Sequence, residues 1–297
     1  MNSLSNNSKI QIWFITARPK TLLAAIVPVI VGSAIAFNDG SFKFIPAAAA
    51  LLCSLLIQIG TNFVNDLYDF MKGTDKKDRV GPRRALVEGL LTVNEMKAGI
   101  AVTFISAFLL GLYLVYIGGW LILIIGIVSI AAGFAYTAGP YPLAYNGLGD
   151  VFVFVFFGMV ATTGTYFVQT GDISLFAFWA SIPVGALVTN ILVVNNYRDI
   201  DEDRISKKNT LAVKLGKTFT RLQYVSFMII SYLVPFVVYI TFKNSPFVFL
   251  PLLSFPLSVK LVKMIYKLEG SELNKTLELT AKLSGIYAIL FAIGIIL

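Results

Sequence analysis

The sequence predicts an all-α, polytopic membrane protein with about nine transmembrane helices, and three observations support this fold class. Hydrophobic residues make up 57% of the 297 positions and charged residues only 13%, about half the charged fraction of a typical soluble domain. The apolar residues form long runs that are spread evenly along the chain, and basic residues are concentrated in alternate loops. Because no segment has the composition of a soluble domain, we expect residues 1–297 to form a single transmembrane domain.

The individual helices are predicted from the length of the apolar runs. A helix needs about 17–25 apolar residues to cross the hydrocarbon core of a bilayer. Nine runs meet this requirement, with ends that are defined to within a few residues; in chain order they are 21–37, 44–64, 98–117, 120–138, 148–168, 176–196, 219–242, 247–266 and 279–297.

Lysine and arginine are distributed unevenly between the two sides of these predicted helices. One side carries the N-terminus and the loops 65–97, 139–147, 197–218 and 267–278. With the adjoining helix ends, this side holds 22 of the 24 basic residues, since only Lys43 and Lys243 lie on the other. The positive-inside rule places the basic side in the cytoplasm. We therefore expect a multi-pass protein of the cell's inner (plasma) membrane with a cytoplasmic N-terminus.

The composition also limits the chemistry of any active site. The chain has no histidine, and Cys53 is its only cysteine, so neither a zinc site nor a disulfide framework is expected. A metal site would have to be built mainly from oxygen ligands, which favours Mg²⁺ or Mn²⁺ over zinc. The net charge of +8 is accounted for by the basic loops in contact with the lipid bilayer, and we expect no nucleic-acid partner.

Two acidic clusters, one in each half of the chain, begin where a predicted helix leaves the membrane. If the first is helical, its amide and carboxylates share one face at i, i+4 and i+7, and those of the second share a face at i, i+4 and i+8. Carboxylates at this spacing repel one another unless a cation lies between them, and Mg²⁺ is bound by a few carboxylates together with substrate phosphates. The alternative is a solvated loop with helix-capping aspartates. The residues concerned are Asn62, Asp66 and Asp69 in the first cluster and Asn195, Asp199 and Asp203 in the second.

Basic residues follow or adjoin both acidic clusters. Arginine binds phosphate oxygens in a bidentate way and lysine binds them as a point charge, so two acidic faces with basic neighbours are suited to a metal-bound diphosphate. Some of these residues are equally explained as determinants of topology. The candidates for contact with the diphosphate are Lys72, Arg79, Arg83, Arg198 and Lys208.

The segment 136–150 is a short connection that is rich in tyrosine, glycine and proline. Prolines make it rigid, and glycines permit tight turns. Its tyrosines, Tyr136 and Tyr145 among them, are candidates for contact with an aromatic substrate or a phosphate. A simple helix hairpin with interfacial tyrosines is an equally good explanation.

With these stretches, the sequence resembles the UbiA superfamily of intramembrane prenyltransferases over nearly its whole length. The resemblance is strongest to the 1,4-dihydroxy-2-naphthoate polyprenyltransferase (MenA-type) branch. The stretches that carry it are 17–22, 65–75, 79–82, 136–150 and 195–203 leading into 210–213. The chain departs from the family pattern in two places: Lys207 stands where the family usually has glycine, and Asp150 stands where it usually has glutamate.

The resemblance implies a helical bundle around a central cavity and an activity. The enzyme would transfer a polyprenyl group from polyprenyl diphosphate to 1,4-dihydroxy-2-naphthoate, with loss of CO₂ and diphosphate, to give demethylmenaquinone. Its cofactor would be Mg²⁺, held by Asn62, Asp66, Asp69, Asp199 and Asp203, and the four aspartates would form the catalytic set. By the same resemblance, the residues implied in binding the acceptor are Asn65, Asn196, Tyr136 and Tyr145.

Three other functions remain open at this point. One is an enzyme of the same class with a different acceptor, such as 4-hydroxybenzoate. A divalent-cation transporter would also use acidic pairs, although it would carry them near the middle of the membrane on successive helices. A non-catalytic lipid-binding scaffold would not require carboxylates at helical spacing.

Overall fold

The computed structural model describes residues 8–75, 80–82 and 84–297, and throughout these residues the regular secondary structure is helical. The fold-class prediction is therefore confirmed. We number the helices in chain order: α1 Lys9–Thr16, α2 Leu23–Asn38, α3 Phe44–Met71, α4 Val93–Gly118, α5 Trp120–Ala135, α6 Gly149–Thr170, α7 Leu175–Arg198, α8 Ile200–Ile205, α9 Leu211–Phe242, α10 Pro246–Lys267 and α11 Leu273–Ile296.

The described helices match the nine predicted runs one by one. Seven of them, α3, α4, α6, α7, α9, α10 and the helix that ends at Ile296, are long and apolar enough to cross a membrane. The eighth match is α2, which continues from α1 after a bend of 54°. The ninth is α5, which is apolar but has only 16 residues, a length of about 24 Å against a hydrocarbon core of about 30 Å.

The prediction was wrong about where several helices end. The second helix was predicted to end at residue 64, with a loop from residue 65, whereas α3 continues to Met71. Likewise, the predicted loop 197–218 contains α8 and the first turns of α9. Hydropathy detects only the part of a helix that lies in lipid, so it cannot follow a helix beyond the membrane surface.

Polar residues at the helix starts explain several boundaries. Ser8 and Thr92 each form a capping box with the residue three positions later, and the Ser174 and Thr210 hydroxyls accept hydrogen bonds from the first turns of α7 and α9. These caps satisfy backbone N–H groups that have no partner inside the helix. Gly216, with φ 81°, kinks α9, so that its first turns lie at a different angle from its membrane-spanning part.

The apolar core lies in three clusters that surround a central cavity. The largest cluster joins α2, α6, α7, α9, α10 and α11, and α7 is buried along most of its length. The second joins α1, α3 and α4, and the third joins α3, α4, α5 and α6 away from the acidic clusters. Close contact between α6 and α7 depends on two glycines, because a Cβ atom at Gly158 would lie 2.6 Å from the Cα atom of Gly185.

Candidate active site

A cavity of about 450 Å³ lies between the three apolar clusters. One end is lined by polar and charged side chains from the last turns of α3 and α7 and from α8; we call this the acidic end of the bundle. From there the cavity continues into an apolar part between α3, α4, α5 and α6, lined by residues such as Ile57, Leu114, Ile122, Phe156 and Val168. The cavity is therefore amphiphilic, with its charge at one end.

The first acidic cluster lies on α3 at the acidic end. Asn62, Asp66 and Asp69 are all buried on the same helix, in the helical register that their spacing predicts. The Asn62 side chain donates a hydrogen bond of 3.0 Å to the Ala17 carbonyl oxygen, which ties α3 to the bend between α1 and α2. Asn62 and Asp69 line the cavity, whereas Asp66 does not.

Asp66 is separated from the cavity by two arginines that do line it. Arg18 adopts a left-handed backbone conformation (φ 54°) at the bend before α2, and its guanidinium pairs with the Asp66 carboxylate. Arg84 Nη1 lies 3.1 Å from the same carboxylate, and Arg84 Nε lies 3.5 Å from Asp75. Burial lowers the pKa of Arg84, but the nearby carboxylates, Asp66 first, more than offset this, so the net pKa is raised. Both arginines are therefore charged donors on the cavity wall.

Asp69 is linked to the connection between α5 and α6. Its carboxylate accepts a hydrogen bond of 2.7 Å from the Tyr145 hydroxyl, which also lies 3.0 Å from the Thr74 hydroxyl. Burial and the Asp69 charge raise the pKa of Tyr145, so the phenol stays protonated and is the donor of this hydrogen bond. Lys72 Nζ lies 4.2 Å from the centre of the Tyr145 ring and donates to the Thr137 carbonyl oxygen at 2.7 Å. Neither Lys72 nor Tyr145 lies on the cavity wall.

The second acidic cluster is built around Arg198 and Asp199 at the end of α7. Arg198 Nε and Nη2 donate to the two carboxylate oxygens of Asp199 at 2.6 and 2.7 Å. The same guanidinium donates to the side-chain oxygens of Asn195, at 2.9 Å, and Asn274, at 2.7 Å. Asp199 lines the cavity, and Arg198 lies behind it, away from the wall. The role of Arg198 as a diphosphate ligand remains a prediction; in this structure its guanidinium joins Asp199 to Asn195 and Asn274.

Asp203 and Lys208 complete the acidic end, and both line the cavity. Lys208 Nζ lies 3.9 Å from the Asp203 carboxylate. Burial raises the pKa of Asp203 to about 7, with Lys208 acting in the opposite direction and other carboxylates adding to the increase. The pKa of Lys208 is lowered by burial but raised more strongly by Asp69, Asp203 and Asp199. Lys208 therefore interacts with carboxylates of both clusters, which face one another across the cavity.

The residues on this wall fit an Mg²⁺ ion that is shared with a phosphate ligand. The available donors are carboxylate and amide oxygens, the ligands that Mg²⁺ prefers. Among the described residues, no three carboxylates, histidines or cysteines are close enough to hold a metal by themselves. Mg²⁺ usually keeps one or two carboxylates and takes further ligands from water and substrate phosphates, and the facing pairs Asn62 with Asp69 and Asp199 with Asp203 suit that arrangement.

The residues implied in acceptor binding lie just inside the acidic end, with the exception of Tyr145. Asn65, Tyr136 and Asn196 line the cavity. The Thr137 hydroxyl donates to the Asn65 side-chain oxygen, and the Asn196 amide donates to Asp150 at 3.4 Å. Burial, with Asp150 and other carboxylates, raises the pKa of Tyr136, so its phenol remains a hydrogen-bond donor.

Several residues of this site were not predicted from the sequence, and two predicted ones cannot be placed. Arg79 and Arg83 lie outside the described residues. Arg18 follows an exposed helix, and only its place in a family stretch pointed to it. Asn274 lies in the first turn of α11, in a segment that was predicted to be a loop and gave no signal at all. Both reach the site through contacts between segments that are far apart in the chain, and hydropathy and spacing contain no information about such contacts.

Comparison with known proteins identifies the class to which this cavity belongs. The model of the UbiA prenyltransferase family matches residues 25–286, so the chain belongs to the UbiA prenyltransferase family. The fold agrees: a solved UbiA homologue from Archaeoglobus fulgidus, bound to DMAPP and Mg²⁺, superposes with a TM-score of 0.67 at 14% identity, over 96% of this chain and 98% of that one.

Within the family, the chain is similar to curated enzymes over nearly its whole length. It is 37% identical to the 1,4-dihydroxy-2-naphthoate octaprenyltransferase of Escherichia coli, over 98% of this chain and 96% of that protein. It is 34% identical to the enzyme of the same name from Haemophilus influenzae, over 98% of this chain and 97% of that protein.

Proposed function

We propose that this chain transfers a polyprenyl group from polyprenyl diphosphate to 1,4-dihydroxy-2-naphthoate in menaquinone biosynthesis. The observation that carries the proposal is the identity of 34–37% to enzymes of that name, over at least 96% of both chains. The reaction releases diphosphate and CO₂ and gives the hydroquinone demethylmenaquinol, the reduced form of demethylmenaquinone.

The shape of the cavity supports this reaction. Its acidic end presents donors and carboxylates to a diphosphate, and its apolar part accepts a prenyl chain. The allylic carbon of the substrate then lies at the boundary between the two parts. An apolar wall at that point excludes water, which would otherwise capture the allylic cation that forms as diphosphate leaves.

Our proposal includes dependence on Mg²⁺, held by Asn62, Asp69, Asp199 and Asp203, with Asp66 as a further member of the set. When bound, the ion supplies positive charge to the diphosphate leaving group. The support is the oxygen-only donor set and the Mg²⁺ in the Archaeoglobus fulgidus homologue.

The basic residues of the wall supply the remaining charge. Arg18, Arg84 and Lys208 line the cavity and carry donors at its acidic end. Charge-assisted hydrogen bonds from such groups to phosphate oxygens stabilise the charge that develops as the C–O bond breaks. Arg198 orients Asp199 from behind, and Tyr145 does the same for Asp69.

Membership of an enzyme family removes the support for the transporter and scaffold alternatives. In addition, the acidic residues lie together at one end of the bundle among arginines and lysines. Such basic partners suit a phosphate ligand and would oppose the passage of free cations. The choice of acceptor within the family is the part of the proposal that an assay must test.

We also propose an orientation in the plasma membrane. The protein is a multi-pass membrane protein, and the distribution of basic residues favours a cytoplasmic N-terminus. The acidic end of the bundle then faces the cytoplasm, where a soluble naphthoate acceptor has access to it.

The proposed function is tested with the purified protein, Mg²⁺ and a polyprenyl diphosphate. Parallel reactions receive 1,4-dihydroxy-2-naphthoate or 4-hydroxybenzoate, and the products are identified by mass spectrometry. We expect a decarboxylated, prenylated naphthalene product and little product from the benzoate. A clear preference for 4-hydroxybenzoate would refute the acceptor assignment, and no product from either would refute the prenyltransferase assignment for these substrates.

A further inference from the structure

Asp150 is a buried carboxylate on the cavity wall that belongs to neither acidic cluster. It lies in the first turn of α6, and only 5% of its surface is exposed. Among the described residues, no lysine or arginine forms an ion pair with it. An unpaired carboxylate within a membrane-spanning helix is costly and usually has a function.

The partners of Asp150 are two amides from neighbouring helices. Asn196 on α7 donates to one carboxylate oxygen at 3.4 Å, and Gln223 on α9 donates to the other at 3.1 Å. Amides fix the direction of a carboxylate without neutralising it. Each carboxylate oxygen can accept a further hydrogen bond, and the cavity is where a further donor can approach.

The position of Asp150 along the cavity matches that of the reacting carbon atoms. Asn196, near the end of α7, precedes Asp199 by three residues, a rise of about 4.5 Å. Its partner Asp150 therefore lies about one helical turn further into the bundle than Asp199. Beyond it, Phe152 and Phe156 begin the aromatic lining of the cavity, stacked with their ring centres 5.5 Å apart. Asp150 therefore lies at the boundary between the diphosphate end and the prenyl part.

We infer that Asp150 binds the acceptor hydroxyl adjacent to the ring carboxylate and takes up its proton during the reaction. This inference rests on the proposed function. The Tyr136 phenol lies close to this turn of α6, since a Cβ atom built at Gly149 would be 3.2 Å from its oxygen. It is therefore placed to donate a hydrogen bond to another oxygen of the same acceptor. Asp150 is then a catalytic residue, and Asn196 and Gln223 are positioning residues that act through it.

The proton and electron transfers balance without any additional reagent. The ring carbon that bears the carboxylate forms a bond to the allylic carbon as the C–O bond to diphosphate breaks, and diphosphate leaves with that electron pair. The adjacent hydroxyl becomes a ketone and gives its proton to Asp150. Loss of CO₂ then returns an electron pair to the ketone oxygen, which takes the proton back from Asp150.

The test compares Asp150→Asn, Asp150→Glu and the wild-type protein in steady-state kinetics. Asparagine keeps the size of the side chain and removes its basicity, so we expect kcat to fall about 100-fold or more, the usual contribution of a positioned base. The KM for the naphthoate should rise several-fold, whereas the KM for polyprenyl diphosphate and the Mg²⁺ requirement should change less than twofold. Asp150→Glu, which retains the carboxylate, should recover at least a tenth of the wild-type kcat.

A matched control is Asp39→Asn. Asp39 accepts a hydrogen bond of 2.8 Å from Tyr166 at the opposite end of the bundle, away from the cavity wall. The same substitution there should leave the kinetics unchanged. A role for Asp150 in packing alone predicts that any loss in Asp150→Asn appears equally in the KM values of both substrates and is not recovered by glutamate, and that result would overturn the inference.

A second measurement uses only the wild-type protein, in case Asp150→Asn does not fold. The acceptor is replaced by its methyl ether at the hydroxyl adjacent to the carboxylate, which has no proton to give. We expect neither turnover nor competitive inhibition at concentrations near the KM of the naphthoate. Efficient prenylation of the ether would refute the role of Asp150, while turnover of the naphthoate itself would keep the proposed function. Failure to turn over the naphthoate would refute both.

Discussion

Replacing Arg198 by lysine tests whether this residue orients a metal ligand or binds diphosphate directly. Arg198 makes two hydrogen bonds to Asp199 and one each to Asn195 and Asn274. Lysine keeps the positive charge but cannot make the bidentate contact, so Asp199 loses at least one charge-assisted hydrogen bond. Such a bond contributes about 1.5–3 kcal/mol, and each 1.4 kcal/mol corresponds to about a factor of ten in an equilibrium constant.

The expected result of Arg198→Lys is therefore an increase of about 10- to 100-fold in the Mg²⁺ concentration required for half-maximal activity. Partners that orient metal ligands typically have effects of this size. The assay is a Mg²⁺ titration at saturating polyprenyl diphosphate, together with a determination of the KM for the diphosphate at saturating Mg²⁺. Asn274→Ala removes a neutral hydrogen-bond acceptor of the same guanidinium. This variant should therefore show a smaller increase in the Mg²⁺ requirement.

Arg204→Lys is the matched control for this experiment. Arg204 lies 3.4 Å from Asp201, and both side chains are more than half exposed, so their interaction contributes little and the Mg²⁺ titration should not change. If Arg198→Lys also leaves the titration unchanged, Arg198 does not orient Asp199 for metal binding. If the KM for the diphosphate rises tenfold while the Mg²⁺ requirement stays constant, Arg198 is a direct diphosphate ligand.

Two further predictions concern the metal and the orientation. EDTA should abolish the activity of the wild type, and excess Mg²⁺ should restore it. Asp199→Asn, which lacks the carboxylate, should remain inactive at any Mg²⁺ concentration that restores the wild type. Normal activity of this variant would show that Asp199 is not part of the metal site. In a Cys53→Ser background, a cysteine at exposed Asn94 should resist an impermeant thiol reagent in intact cells, while one at exposed Asp172, on the opposite side, should react; the reverse pattern would invert the proposed topology.

The fold was largely predictable because membrane helices are encoded locally. A run of apolar residues is by itself enough to indicate a segment buried in lipid, and each predicted run has a matching helix in the structure. The register of Asn62, Asp66 and Asp69 was predictable for the same reason, since all three lie on α3. Helix ends beyond the membrane surface were less predictable because caps and kinks, such as Thr210 and Gly216 of α9, determine them instead of hydropathy.

The partners of the acidic residues were not predictable. Asp66 is paired with Arg18, 48 residues away, and Arg198 with Asn274, 76 residues away. These contacts arise only when the helices pack against one another. From a single sequence, basic residues can be assigned to the diphosphate only because they lie near the acidic residues along the chain. Arg198 is an example: it was predicted as a diphosphate ligand from its place beside Asp199, and its hydrogen bond to Asn274 could not be foreseen from the sequence.

The most direct test of the central claim is the fate of the acceptor carboxyl group. The purified wild-type protein is incubated with carboxyl-labelled 1,4-dihydroxy-2-naphthoate, polyprenyl diphosphate and Mg²⁺, and the released label and diphosphate are measured together. We predict that label leaves as CO₂ in an amount equal to the diphosphate, and that the prenylated product carries none. Retention of the label in the prenylated product would contradict the proposed reaction and, with it, the role of Asp150.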